Sequence, residues 1–152
     1  MKIRWRTCAF VLAAGAVAAP LFAAPADTIR TRIASYRELG AAFKAVNDGL
    51  RGSDVQTILI AQSARQIRNT AQQQYDWFPA GSGPQAGVKT RAKAEIWSQS
   101  DKFRAAQDAF AKAADNFSRA VASKDVAAIR SNARLLGGAC KGCHDTFRTP
   151  ED

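Results

Sequence analysis

Residues 125–148 read DVAAIRSNARLLGGACKGCHDTFR. Val126, Ile129, Ala133, Leu136, Cys140, Cys143 and Phe147 recur there at spacings of three and four. That is the period of one face of an α-helix. Asp125 stands just before the stripe, where a carboxylate can accept hydrogen bonds from the free amides of a first turn. Near the end of the stripe, residues 140–144 read Cys-Lys-Gly-Cys-His. This is the attachment pattern for c-type haem. On a helix, residues i, i+3 and i+4 share a face. Cys140 and Cys143 can therefore reach two vinyl groups on one porphyrin edge, and His144 can aim a ring nitrogen at the iron. A redox-active or disulfide pair is one alternative. It ordinarily sits at the start of a helix in an α/β fold, and no strand pattern occurs in this chain. Zinc is another, but it asks for four protein ligands, or three and water. His144 is the only histidine, so Asp145 would have to help complete such a site.

The same period runs back along the chain. Ile29, Ile33, Tyr36, Gly40, Phe43, Val46 and Leu50 mark a first helix that Gly52 ends. Ser53 is placed to cap a second, with Gln56 as capping-box partner. Val55, Leu59 and Ile67 give that helix its inner face, to about Gln73. Residues 75–94 break the pattern with Pro79, Gly81, Gly83, Pro84 and Gly87. A loop of that length needs a task or packs on itself, and Trp77 and Phe78 predict that it folds back on apolar surface. Phe103, Ala106, Phe110, Ala113, Phe117 and Val121 mark a third helix, and the stretch from Asp125 is the fourth. The expected fold is all-α: an antiparallel four-helix bundle with covalently bound haem c.

The N-terminus reads as a leader. Lys2, Arg4 and Arg6 precede the apolar run AFVLAAGAVAA at 9–19, and Ala24-Pro25-Ala26 fits a cleavage pattern. The run is too short to span a bilayer. We assign 1–26 to a cleaved signal peptide, with a cut near Ala26 or Ala23, and 27–152 to the bundle, in the periplasm. Cys8 leaves with the leader, so Cys140 and Cys143 remain as the cysteines. Loss of Lys2, Arg4 and Arg6 takes the formal charge from +9 to +6. That balance is compatible with acidic periplasmic electron-transfer partners, and a solvated basic surface is the plainer reading of it. A secreted chain without a nucleic-acid motif or a dense basic block is not expected to bind nucleic acid, and no membrane association is expected.

The second axial position follows from composition. Met1 is the only methionine and His144 the only histidine. A methionine-ligated iron is therefore excluded, leaving Lys44, Lys93 and Tyr36 as candidate sixth ligands, none of them forced. The expectation is a five-coordinate, high-spin iron on His144 with an open distal side. The alternative is a six-coordinate, dedicated electron-transfer cytochrome with a non-methionine sixth ligand. No acid–base set of the kind catalysis needs surrounds the site, so an enzyme is not expected.

The chain resembles the cytochrome c′ family over essentially its whole mature length. The haem motif lies at the C-terminal end, the loop reads Trp77-Phe78-Pro79-Ala80-Gly81-Ser82, and Ala94-Glu95-Ile96-Trp97 matches the family's Pro-Glu-Ile-Trp apart from its first residue. Tyr36-Arg37-Glu38 is similar to a Tyr-Arg-Gln in the first helix. The resemblance implies a homodimer through the first two helices and a vacant distal site that takes nitric oxide or carbon monoxide. It places Arg37 and Glu38 at the haem edge and Arg91 near a propionate. Phe78 faces the distal pocket in this scheme, and Arg148 lies near the proximal histidine. Ala41 falls where the family has a bulkier distal residue, so the distal face is roomier unless Phe43 or Phe78 fills it.

Overall fold

The computed structural model describes residues 24–150. Most of the leader assigned to 1–26 lies outside them. Among the described residues there are five α-helices: α1 (Pro25–Gly49), α2 (Thr57–Gln73), a one-turn α3 (Glu95–Ser98), α4 (Ser100–Ser123) and α5 (Val126–Phe147). The four long ones form the bundle. No helix among the described residues is long and apolar enough to cross a membrane.

Side-chain pairs give the register. Tyr36 on α1 donates to Gln74, just past α2, at 3.4 Å. Arg68 on α2 meets Asp115 on α4 at 2.8 Å, and Tyr75, past the end of α2, meets Asp108 at 2.7 Å. The numbers fall on one helix as they rise on its neighbour, so the neighbours are antiparallel. At the α2–α4 seam the buried amides of Gln74 and Gln107 each donate to the other's backbone carbonyl, at 3.3 and 3.1 Å. This reciprocity satisfies donors that would otherwise cost about 1–3 kcal/mol each on burial.

Leu39, Val46, Ile60, Ile67, Phe110, Phe117, Ile129 and Leu136 form the main core. Asp125 caps α5 as its sequence position predicts, accepting from the amides of Ala127 at 2.9 Å and Ala128 at 3.2 Å.

Two expectations are corrected. The second helix does not begin at a Ser53 cap with a Gln56 capping box; it begins at Thr57, and no side chain caps it. Gly52 takes a left-handed φ of 75° to turn the chain. The amide of Gln56 is then tied back to the Gly49 carbonyl at 3.1 Å. The helix winds from Thr57, after that tie. Its inner face carries Ile60 together with the expected Ile67, both buried, while Leu59 is 50% exposed. On α1, Leu39 and Ala42 enter the core, whereas Gly40 is exposed. Ile29, Val46 and Leu50 of the expected stripe are buried, while Ile33, Tyr36 and Phe43 are half-buried on the next face round.

The loop after α2 folds back as its aromatics predict. It contains two short 3-10 turns (Gln74–Asp76 and Pro84–Ala86). Trp97 holds it from the other side, its indole N–H donating to the Pro79 carbonyl at 3.1 Å.

Candidate functional site

The bundle is closed on three sides and slack on the fourth. α1 packs along α2, α2 along α4 and α4 along α5, while α1 and α5 barely meet. Where they do meet, the ring of Phe43 lies against Gly137. A β-carbon at 137 would come within 3.2 Å of the ring's Cζ. Glycine at this position is what lets the two helices approach. One turn further along α5 the facing side chain is Cys140.

The two thiols straddle the boundary between two apolar clusters. Cys140 packs on the main core. Cys143 packs on a second cluster of Ile96, Phe103 and Phe147, joined by Phe78 and Trp97. The rings of this cluster meet edge-on, Phe78 with Phe103 at 4.7 Å and Phe103 with Phe147 at 5.1 Å. Burial, with the neighbouring Cys143 adding to it, raises the Cys140 thiol from 9.0 to about 11. Burial raises Cys143 as well. Both cysteines are free and half-buried. Because the thiolate is the reactive form, alkylation of Cys140 at pH 8 in the unloaded protein is expected to be on the order of a hundredfold slower than that of a free cysteine peptide. Mass spectrometry of the labelled protein gives the rate, and labelling at the peptide's rate would contradict a buried thiol.

Tyr36, a candidate sixth ligand in the sequence, borders the same aromatic cluster. Its ring meets Trp77 edge-on at 4.9 Å and Phe78 at 6.2 Å. Burial raises its hydroxyl well above the ordinary tyrosine range; Cys143 adds to the shift and Arg32 opposes it. At physiological pH Tyr36 is a neutral phenol.

The other predicted residues are placed as follows. His144 follows Cys143 on α5 and is exposed, as are Arg37, Glu38 and Ala41 on α1. Phe43 is half-buried between the main core and Gly137. Phe78 is half-buried in the aromatic cluster. Arg91 reaches the end of the chain, donating through Nε at 2.9 Å and Nη2 at 2.6 Å to the Thr149 carbonyl. Arg148 follows α5 and pairs through its backbone with Ala92 in an isolated antiparallel bridge. Arg91 and Arg148 therefore clasp the loop to the end of α5, beside His144. Arg32, which the sequence reading did not single out, is buried on α1 and reaches into the loop. An arginine at a core-facing helical position was the available signal.

These residues fit a haem. Two thiols lie one turn apart on α5, apolar and aromatic surface flanks them, and a histidine follows directly. Among the described residues no group of three or more His, Cys, Asp or Glu could hold a metal ion, which disfavours the zinc reading.

A family model described as Cytochrome C' matches residues 27–148. Cytochrome c′ of Pararhodospirillum photometricum is 33% identical over 127 residues, covering 83% of this chain and 99% of the relative. The crystal structure of cytochrome c′ from Rubrivivax gelatinosus superposes with a TM-score of 0.78 at 30% identity, covering 84% of this chain and 99% of that one. A nitric oxide complex of a cytochrome c′ variant from Alcaligenes xylosoxidans superposes with a TM-score of 0.77 at 23% identity, covering 86% and 99%. The match along nearly the whole described chain, together with the paired thiols on the last helix, places this chain in the cytochrome c′ family, with covalent haem c as its cofactor.

Proposed function

We propose that the chain is a periplasmic haem protein that binds nitric oxide or carbon monoxide and exchanges single electrons, and that it does not act as an enzyme. Cys140 and Cys143 anchor the haem, and His144 is the one protein ligand to its iron. Bound, the haem supplies a one-electron iron couple and a coordination position for a diatomic gas. The chain's own residues supply the rest. Phe43 and Gly137 bound the space above Cys140, Tyr36 and Phe78 exclude water beside the thiols, and Arg37, Glu38, Arg91 and Arg148 lie at its rim for the propionates and the proximal side. Ala41 leaves the distal face roomy.

One observation carries the open coordination position: each candidate sixth ligand is engaged elsewhere. Lys44 pairs with Asp48 on the outer surface of α1. Lys93 Nζ donates to the carbonyls of Asp145 at 3.4 Å and Thr146 at 3.2 Å. The Tyr36 hydroxyl donates to Gln74 Oε1 at 3.4 Å. The nitric oxide complex of the Alcaligenes relative supports the choice of ligand. Exposed Ile58 and Leu59 on α2 offer apolar surface for a homodimer.

The optical spectrum of the haem-loaded protein is the test. The expected result is a high-spin spectrum that shifts on adding nitric oxide or carbon monoxide. A six-coordinate, low-spin spectrum would sink the reading in favour of a dedicated electron-transfer cytochrome. Sedimentation of the same preparation as a monomer would remove the dimer.

A further inference from the structure

Arg32 is 3% exposed, on the core-facing side of α1. Its four terminal N–H groups are directed into the loop. Nη1 donates to the Trp77 carbonyl at 3.1 Å and Ser82 Oγ at 3.2 Å. Nη2 donates to the Ser82 carbonyl at 3.0 Å and Thr90 Oγ1 at 3.3 Å. The guanidinium also lies 4.5 Å from the centre of the Phe78 ring and 5.9 Å from that of Trp97. Every one of these partners is neutral. Among the described residues, Arg32 has no carboxylate partner.

This is an expensive arrangement. A guanidinium stays charged at any physiological pH, and burying a charge without a counter-ion costs several kcal/mol before compensation. A methionine of similar length would fill the space at less cost. If pinning the loop were its whole task, neutral side chains could share it. The position of the charge suggests a second task. Phe78 and Trp97, which face the guanidinium, belong to the cluster on which Cys143 packs. The same rings lie against the cation and, through that cluster, against the attachment site. Low-dielectric surroundings of this kind let a fixed charge act with little attenuation.

Resting on the functional reading above, we propose that Arg32 is a positioning residue with an electrostatic role: it pins the Trp77–Thr90 loop over the cofactor site, and its unpaired positive charge biases the iron toward the ferrous state. Reduction adds one electron and lowers the charge of the site by one. A fixed cation therefore stabilises the reduced form, and its removal favours the oxidised form.

The test is a spectroelectrochemical titration of the haem-loaded protein, native and with Arg32→Met or Arg32→Lys. At a fixed electrode potential the ferrous-to-ferric ratio of Arg32→Met is expected to fall about tenfold, a drop of about 59 mV in midpoint for a one-electron couple. Arg32→Lys keeps the charge but cannot reproduce four bonds, so its ratio stays within about twofold of native. In the unloaded protein, trypsin cuts the loop after Lys89 faster in Arg32→Met than in the native chain. A native midpoint in Arg32→Met overturns the electrostatic role, as do equal shifts in Met and Lys. An unchanged cutting rate overturns the positioning role. Should Arg32→Met not accumulate, Arg32→Gln carries the same expectations, since its neutral amide removes the charge and cannot make all four bonds. Failure of the native chain to attach haem is a separate result and removes the functional reading itself.

Discussion

With serine at both 140 and 143, the protein is expected to release all of its haem on acid–organic extraction, where the native protein releases none. The reason is the chemistry of the two sulfurs. Each thiol adds across a vinyl group, sulfur to one carbon and hydrogen to the other, leaving a thioether that neither unfolding nor solvent reverses. A serine hydroxyl is a far weaker nucleophile than a thiol. The two sites lie in different surroundings, Cys140 packing on the main core and Cys143 on the aromatic cluster. Either single serine variant keeps one link and therefore retains haem through extraction. Haem staining of a denaturing gel reads all four proteins side by side. Haem that stays on the double variant through extraction would place the covalent bond somewhere other than these cysteines.

The second large effect concerns the frame. Phe117→Ala on α4 is expected to destabilise the protein by about 3–5 kcal/mol, the range for emptying a fully buried aromatic site. Phe117 is 0% exposed and sits within the main core. A domain of this size has about 5–15 kcal/mol in all, so the variant should lie near its unfolding midpoint in mild denaturant. Urea unfolding of the unloaded protein should show a lower midpoint with little change in slope, because the surface exposed on unfolding is nearly the same. Leu135→Ala is the control. Leu135 is 62% exposed on α5, and its removal should cost no more than about 0.5 kcal/mol. Equal effects from the two would mean that the bundle is packed about a different centre.

Much of the fold was legible because its signals are local. The stripe from Val126 to Phe147 and the Asp125 cap needed no knowledge of neighbours, and both appear in the structure as read. The start of α2 was misread because its cause lies outside the segment. Ser53 and Gln56 have the composition of a capping box, but the turn at Gly52 and the tie from Gln56 to Gly49 consume those residues first. The α1 stripe was read correctly at Ile29, Val46 and Leu50 and misjudged between them for a related reason. Two adjacent faces of that helix carry apolar side chains, and only packing distinguishes the face that meets the core, with Leu39 and Ala42, from the half-buried face with Tyr36 and Phe43.

At the site the division is similar. The Cys-Lys-Gly-Cys-His run states its own chemistry, because a helix brings i, i+3 and i+4 together wherever it lies. The absence of any methionine or histidine beyond Met1 and His144 is likewise a matter of composition. The clasp from Arg91 to Thr149 and the bonds from Arg32 to Trp77, Ser82 and Thr90 are different in kind. They join residues 45 to 58 positions apart. No periodicity in the sequence encodes such pairings. They arise when α1, the loop and the end of α5 are packed together, and burial then makes each unmet polar group too costly to leave. The sequence therefore carries the chemistry of attachment, while the folded arrangement sets which charges surround it.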